Sequence, residues 1–185
     1  MKKRLHIVLL LILAVCLGAY ALQAAAPTVG NGEDDDGGIR LHAVLKGFNE
    51  VPANSTLAKG EFKATINGED SISFELTYSD LTADALFAHI HLGQTNVIGG
   101  VMIFFCDNRP QPQPGAAKCP LRGGTVTGTV TAADVIGPAG QGVSTGEFAK
   151  VLQAIRAGVT YANVHSSKFP GGEIRGQVKV VREED

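Results

Sequence analysis

The chain has 185 residues, with 16 Lys and Arg against 18 Asp and Glu and a formal charge of −2. No basic cluster stands beyond the first four residues, so there is no electrostatic footprint for nucleic acid or for an anionic membrane surface.

Met1-Lys2-Lys3-Arg4 supplies a positive start, and Ile7 to Leu17 is an unbroken apolar run followed by small residues, the pattern of a signal peptide over residues 1–24. The run is too short to span a bilayer comfortably, so no transmembrane segment is expected in the mature chain. Cleavage fits after Ala21, and equally after Ala24 or Ala26. Leu13-Ala14-Val15-Cys16 is similar to a lipid-attachment motif, but the bulky Val15 argues against a lipid, and Cys16 reads as one more small hydrophobe. The expected location is secreted, or periplasmic and cell-envelope. Residues 25–38 include Glu33-Asp34-Asp35-Asp36 among glycines and read as a disordered acidic linker; the acids lack the alternating ligand positions of a calcium loop.

From Ile39 the period becomes two, and residues 39–182 have the size of one domain. Leu41, Ala43 and Leu45 alternate with His42, Val44 and Lys46; Ile72, Phe74, Leu76 and Tyr78 alternate with Ser73, Glu75, Thr77 and Ser79. Asn67-Gly68 predicts a hairpin between Gly60 to Ile66 and Ser71 to Tyr78. Phe87 to Leu92 is a further strand, and Val97 to Phe105 is apolar enough to be buried on both faces. Thr125 to Thr131, Val159 to His165 and Ile174 to Val181 complete the set. One helix interrupts them: Ser144 and Glu147 have capping-box spacing, Phe148, Val151, Leu152 and Ile155 share a face, and Gly158 stands at the C-terminal cap. Thr131 to Asp134 suits a shorter helical turn. The expected fold is all-β, an antiparallel Greek-key-like β-sandwich of about eight strands with one connecting helix.

Removing the signal leaves two cysteines, Cys106 and Cys119, in a chain expected to be exported, where disulfides persist. They flank a turn-rich stretch without apolar periodicity, and a bridge there would pin a long loop and stabilise by about 3 kcal/mol.

His89 and His91, two apart, share one strand face, with Ala88, Ile90 and Leu92 on the other. The same rule groups Tyr161, Asn163 and His165 opposite Ala162 and Val164. If these strands are neighbours, His89, His91 and His165 meet on the outside of the sandwich, a plausible set of ligands for copper or zinc; partly exposed histidines hydrogen-bonded to neighbours are the plainer alternative. His42 reads as a structural histidine. Glu173 and Arg175 also share a face, as an ionic lock for the last strand or, with Glu173 against His165, as a group orienting that ring. No nucleophile constellation and no phosphate-cradling loop emerges, so no catalytic residue is assigned.

Four blocks, Leu45 to Pro52, Ala88 to Gly93, Ala157 to His165 and Phe169 to Gln177, closely resemble the CHRD domain, named from the animal protein chordin and present in exported bacterial proteins. The resemblance implies a β-sandwich outside the cytoplasm and, in chordin, a part in an antagonist that binds bone morphogenetic proteins. That ligand does not carry over, because the start looks bacterial and chordin's accompanying cysteine-rich modules are absent. A fainter resemblance is to copper-zinc superoxide dismutase: it implies copper ligands at His89, His91 and His165 and a substrate-guiding cation at Arg175. The cluster of histidine and aspartate for that family's zinc is missing, its place taken by the Cys106 to Cys119 loop. Two functions are therefore expected in turn: a non-catalytic exported module that binds an extracellular or cell-envelope protein or surface ligand, or a copper- or zinc-binding protein with a three-histidine site and dismutase-like redox activity.

Overall fold

The computed structural model describes residues 38–181. The expected signal peptide, its cleavage points, Cys16 and the linker up to residue 37 lie outside the described residues. No described helix is long and apolar enough to cross a membrane.

Nine antiparallel strands form one sheet: β1 (Ile39–Lys46), β2 (Lys59–Asn67), β3 (Ser71–Ser79), β4 (Ala85–Leu92), β5 (Gly100–Asp107), β6 (Gly124–Thr131), β7 (Thr160–Ser166), β8 (Ile174–Gln177) and β9 (Lys179–Val180). Their order is β5-β4-β7-β8-β1-β2-β3-β6, with β9 on β1. The strands next to each other but distant in sequence, β4 with β7 and β3 with β6, give the all-β sandwich its crossovers.

Alternation fixes the inner face. Leu41, Ala43 and Leu45 of β1 stand opposite Ala64, Phe62 and Gly60 of β2, and the three buried apolar positions of β2 are matched by Ile72, Phe74 and Leu76 of β3. The sheet curls until its far strand reaches this surface: Phe105 of β5 packs on Phe62 and Phe74, with ring centroids 4.9 and 4.7 Å apart. The helix α1 (Phe148–Arg156) buries Phe148, Val151, Leu152, Ala154 and Ile155. It stops at Gly158, whose φ of +69° is left-handed and whose N–H donates to the Ile155 carbonyl.

Three local expectations change. The capping pair is half made: the Ser144 N–H donates to Glu147 Oε2, but the helix starts after Glu147, whose own side chain makes no cap. The reciprocal box forms instead at Thr131 and Asp134, closing a 3-10 turn over Ala132–Asp134. The strand expected from Val97 begins at Gly100, because 93–99 is a loop in which Ile98 is 71 % exposed. A side chain on Gly99 would stand 1.7 Å from the Leu92 carbonyl oxygen, so the chain enters the sheet at a glycine. The last strand is broken at Val178, which turns inward, fully buried, and gives its N–H to the Thr160 carbonyl.

Cys106 and Cys119 are bonded. Asn108 clamps the loop between them, donating to the carbonyls of Ala85 and Cys119 and accepting from the Cys119 N–H. Buried Asp107 accepts from the Gln113 N–H and from the side chain and backbone of Arg109. Replacing Phe105 by Ala should lower the unfolding free energy in urea by about 3 to 5 kcal/mol, the cost of an aromatic-sized core cavity; a loss below about 1 kcal/mol would mean that the ring does not wedge the sheet closed.

Candidate metal centre

Strands β4 and β7 pair so that His89 faces Asn163, Phe87 faces His165 and His91 faces Tyr161. With side chains alternating on each strand, these six project to the face opposite Ala88, Ile90, Ala162 and Val164, which enter the core. The three imidazoles meet as expected. One nitrogen from each lies within 4.8 Å of the others.

The expectation of an outward cluster needs correction. His89, His91 and His165 are 2 %, 7 % and 6 % exposed, because distant loops roof this face of the sheet. Phe87 stacks on His89 at 5.1 Å and is tilted against His165 at 4.5 Å, and Phe104 meets the edge of His89 at 5.0 Å. Arg109, held by Asp107, lies over both phenyl rings at 4.9 and 5.0 Å. On the other side Tyr161 is parallel to His91 at 4.5 Å, and the Arg175 guanidinium lies 3.3 Å from the Tyr161 centroid. Arg175 is fixed by donating to the carbonyls of Gln94 and Val97.

Backbone oxygens orient two of the rings. His165 Nδ1 donates to the Pro170 carbonyl at 2.9 Å, which leaves the lone pair on Nε2, and that atom is buried without a hydrogen-bond partner. His91 Nδ1 faces the Gly99 carbonyl at 2.9 Å, while its Nε2 faces Asn163 Oδ1 at 3.1 Å. A neutral ring has one N–H and cannot donate to both; with that proton on Nδ1 toward the Gly99 carbonyl, the Nε2 lone pair is set against the Asn163 oxygen, acceptor against acceptor. Nδ1 of His89 is likewise buried and unpartnered.

Burial is the first cause that keeps all three rings neutral. It holds His89 well below the usual imidazole value, assisted by the neighbouring rings and Arg109. It lowers His91, with Arg175 adding to the effect, and brings His165 to about 4, with His91 and Arg109 assisting. Beside Asn163, Glu50 is pushed up to about 7 by burial, against the pull of Arg175 and a hydrogen bond from Asn163.

Glu173 does not reach His165 and makes no lock with Arg175. Its Oε1 accepts from the Thr56 and Thr82 hydroxyls and the Thr82 N–H, tying the loop after β1 to β8. His42 pairs with Glu61 on the far strands at 2.9 Å and takes no part. Sequence reasoning missed Phe87, although it shares the face of His89 by the same alternation. It also missed Phe104, Arg109 and Glu50, which arrive from other elements.

The family model of the CHRD domain matches residues 41–178. No curated protein matches the chain. No solved structure matches it.

An imidazole that titrates near 6.5 when unfolded and about 4 when folded lets the unfolded chain bind more protons between these values, so its stabilising effect is complete above about 6.5 and is lost as acid takes the pH toward 4. Raised Glu50 acts with the opposite sign over an overlapping range, so the measurement is a difference. The stability gap between the metal-free protein and a His165→Gln variant should narrow by about 2 kcal/mol from pH 7 to pH 5 in urea titrations; a gap constant with pH would contradict a neutral buried ring.

Proposed function

The chain belongs to the CHRD domain family, and from that premise we propose that it is an exported module that holds copper or zinc on His89, His91 and His165. The observation that carries the reading is the pair of buried, unpartnered nitrogens, His89 Nδ1 and His165 Nε2, converging with a nitrogen of His91 within 4.8 Å. A buried polar atom without a partner costs about 1 to 3 kcal/mol, and two such atoms aimed at one point are what a cation would satisfy. The donors fit: neutral imidazoles suit copper and zinc, and the carbonyls of Pro170 and Gly99 supply the outer hydrogen bonds that ligating histidines use.

Bound there, such a metal would offer a Lewis acid or, as copper, a one-electron couple. The roof of Phe87, Phe104 and Tyr161 favours retention over turnover, so we read a holding site and not a dismutase. The Cys106 to Cys119 bond supports a place outside the cytoplasm, as does the Met1 to Leu17 pattern.

A second reading, association with an envelope protein or surface ligand, draws on Phe48 and Ile98, 73 % and 71 % exposed. Phe48 lines a cleft of about 380 Å³ with Val44, Thr95, Asn96 and Arg175. Replacing both exposed side chains by Ser should release the protein from the envelope fraction; unchanged co-sedimentation would remove this reading.

Elemental analysis of tag-free protein, equilibrated with copper or zinc and desalted, should give one metal per chain, and the His91→Ala and His165→Ala variants should retain less than a tenth of that. Protein that keeps no metal, or variants that keep it all, would refute the site.

A further inference from the structure

Three imidazoles leave an ion one ligand short of the four that zinc takes. We propose that the Asn163 carboxamide oxygen is the fourth ligand, so that the protein alone closes the coordination shell and the bound ion braces β4 against β7. This deepens the reading of His89, His91 and His165 as ligands and rests on it.

Strand register puts Asn163 in the middle of the cluster. It stands directly opposite His89, on the diagonal from His91, and two residues before His165 on the same face of β7. Of the six side chains that β4 and β7 place on that face, it is the one non-histidine adjacent to all three rings. Phe87 is four residues from His91 along β4, and Tyr161 is four from His165 along β7. Asn163 is 3 % exposed, so its polar atoms need partners inside the protein. Its NH2 donates to Glu50, which turns the carboxamide so that the oxygen is presented to His91.

That oxygen meets a lone pair. Oδ1 lies 3.1 Å from His91 Nε2, a hydrogen-bond distance with no hydrogen to fill it once the single proton of the neutral ring goes to the Gly99 carbonyl. Moving the proton to Nε2 only transfers the conflict to Nδ1 and the Gly99 oxygen. A neutral His91 therefore cannot satisfy both neighbours, whereas an ion held between Nε2 and Oδ1 satisfies them together: Nδ1–H keeps its carbonyl, and the two facing acceptors share the charge. Two ligands of one tetrahedral zinc, each bonded at about 2.0 to 2.1 Å, stand about 3.3 Å apart. The Nε2 and Oδ1 pair is already close to that spacing. It is the same unmet demand that His89 Nδ1 and His165 Nε2 show, and it adds an oxygen to the three nitrogens.

Crystals of the zinc-loaded protein, with the ion located by its anomalous scattering, should show Asn163 Oδ1 at about 2.0 to 2.2 Å from the metal beside the three ring nitrogens. A fourth position that is vacant, or held by water or another side chain, with Oδ1 beyond about 3 Å, would overturn the inference and leave the three-histidine site standing. This measurement needs no variant, so it decides even if a substitution at buried residue 163 prevents folding. In solution, with affinity read by competition with a chromogenic chelator, Asn163→Leu should weaken zinc binding by about tenfold or more. Asn163→Asp keeps an oxygen in place and gives it charge, so it should bind zinc at least as tightly as the unaltered protein. An Asp variant as weak as the Leu variant, or a Leu variant as tight as the unaltered protein, would equally overturn the fourth ligand. Failure of zinc to bind the unaltered protein would instead take down the three-histidine reading, and this inference with it.

Discussion

Strands β4 and β7 are buried on both faces, and the rest of the molecule is arranged around that constraint. One face of the pair supplies Ala88, Ile90, Ala162 and Val164 to the core, and the other carries histidine, asparagine and tyrosine that must also be kept from water. A sandwich sheet ordinarily leaves its outer face wet. Here the outer face has a small interior of its own, with aromatic rings as walls and backbone carbonyls as hydrogen-bond acceptors.

Four separate pieces of chain build that second interior. The loop after β1 contributes Glu50, the 93–99 loop contributes the Gly99 carbonyl, the disulfide loop contributes Arg109, and the turn before β8 contributes the Pro170 carbonyl. Side chains anchor them, Arg175 holding the 93–99 loop through the Gln94 and Val97 carbonyls. Asp107 fixes Arg109, Glu173 ties the Thr56 and Thr82 hydroxyls to the edge of β8, and Cys106 and Cys119 hold the base of the longest loop. The charged side chains of this region therefore act as fasteners for a roof.

The strands were legible because alternation is a local property: His89 with His91, and Asn163 with His165, fall on one face by counting alone. The meeting of the two strands was legible only as a condition, since register between segments seventy residues apart is set by the whole sheet. The roof was not legible. A face with histidines looks exposed until a loop is laid on it, and nothing local to Arg109 says that it will stack on Phe87. Val97 and Ile98 misled for the complementary reason: their apolar character suits a buried strand, but the glycine pair at 99 and 100 admits the chain to the sheet only after them. Glu173 and Arg175 have the spacing of partners and serve different ends, because their strand faces two loops and each side chain is claimed by the nearer one.

Gly172 shows where this arrangement is brittle. Its φ is +130°, and a methyl group on its Cα would stand 2.5 Å from Glu50 Oε1. The same three-residue turn presents the Pro170 oxygen that decides which nitrogen of His165 bears the proton. A bulkier residue at 172 would press against the carboxyl on one side and drag the turn on the other, scrambling the ring's tautomer without touching the ring. The chemistry of the imidazole trio is thus hostage to a residue with no side chain, and inherited damage to the centre would fall there as readily as on a histidine.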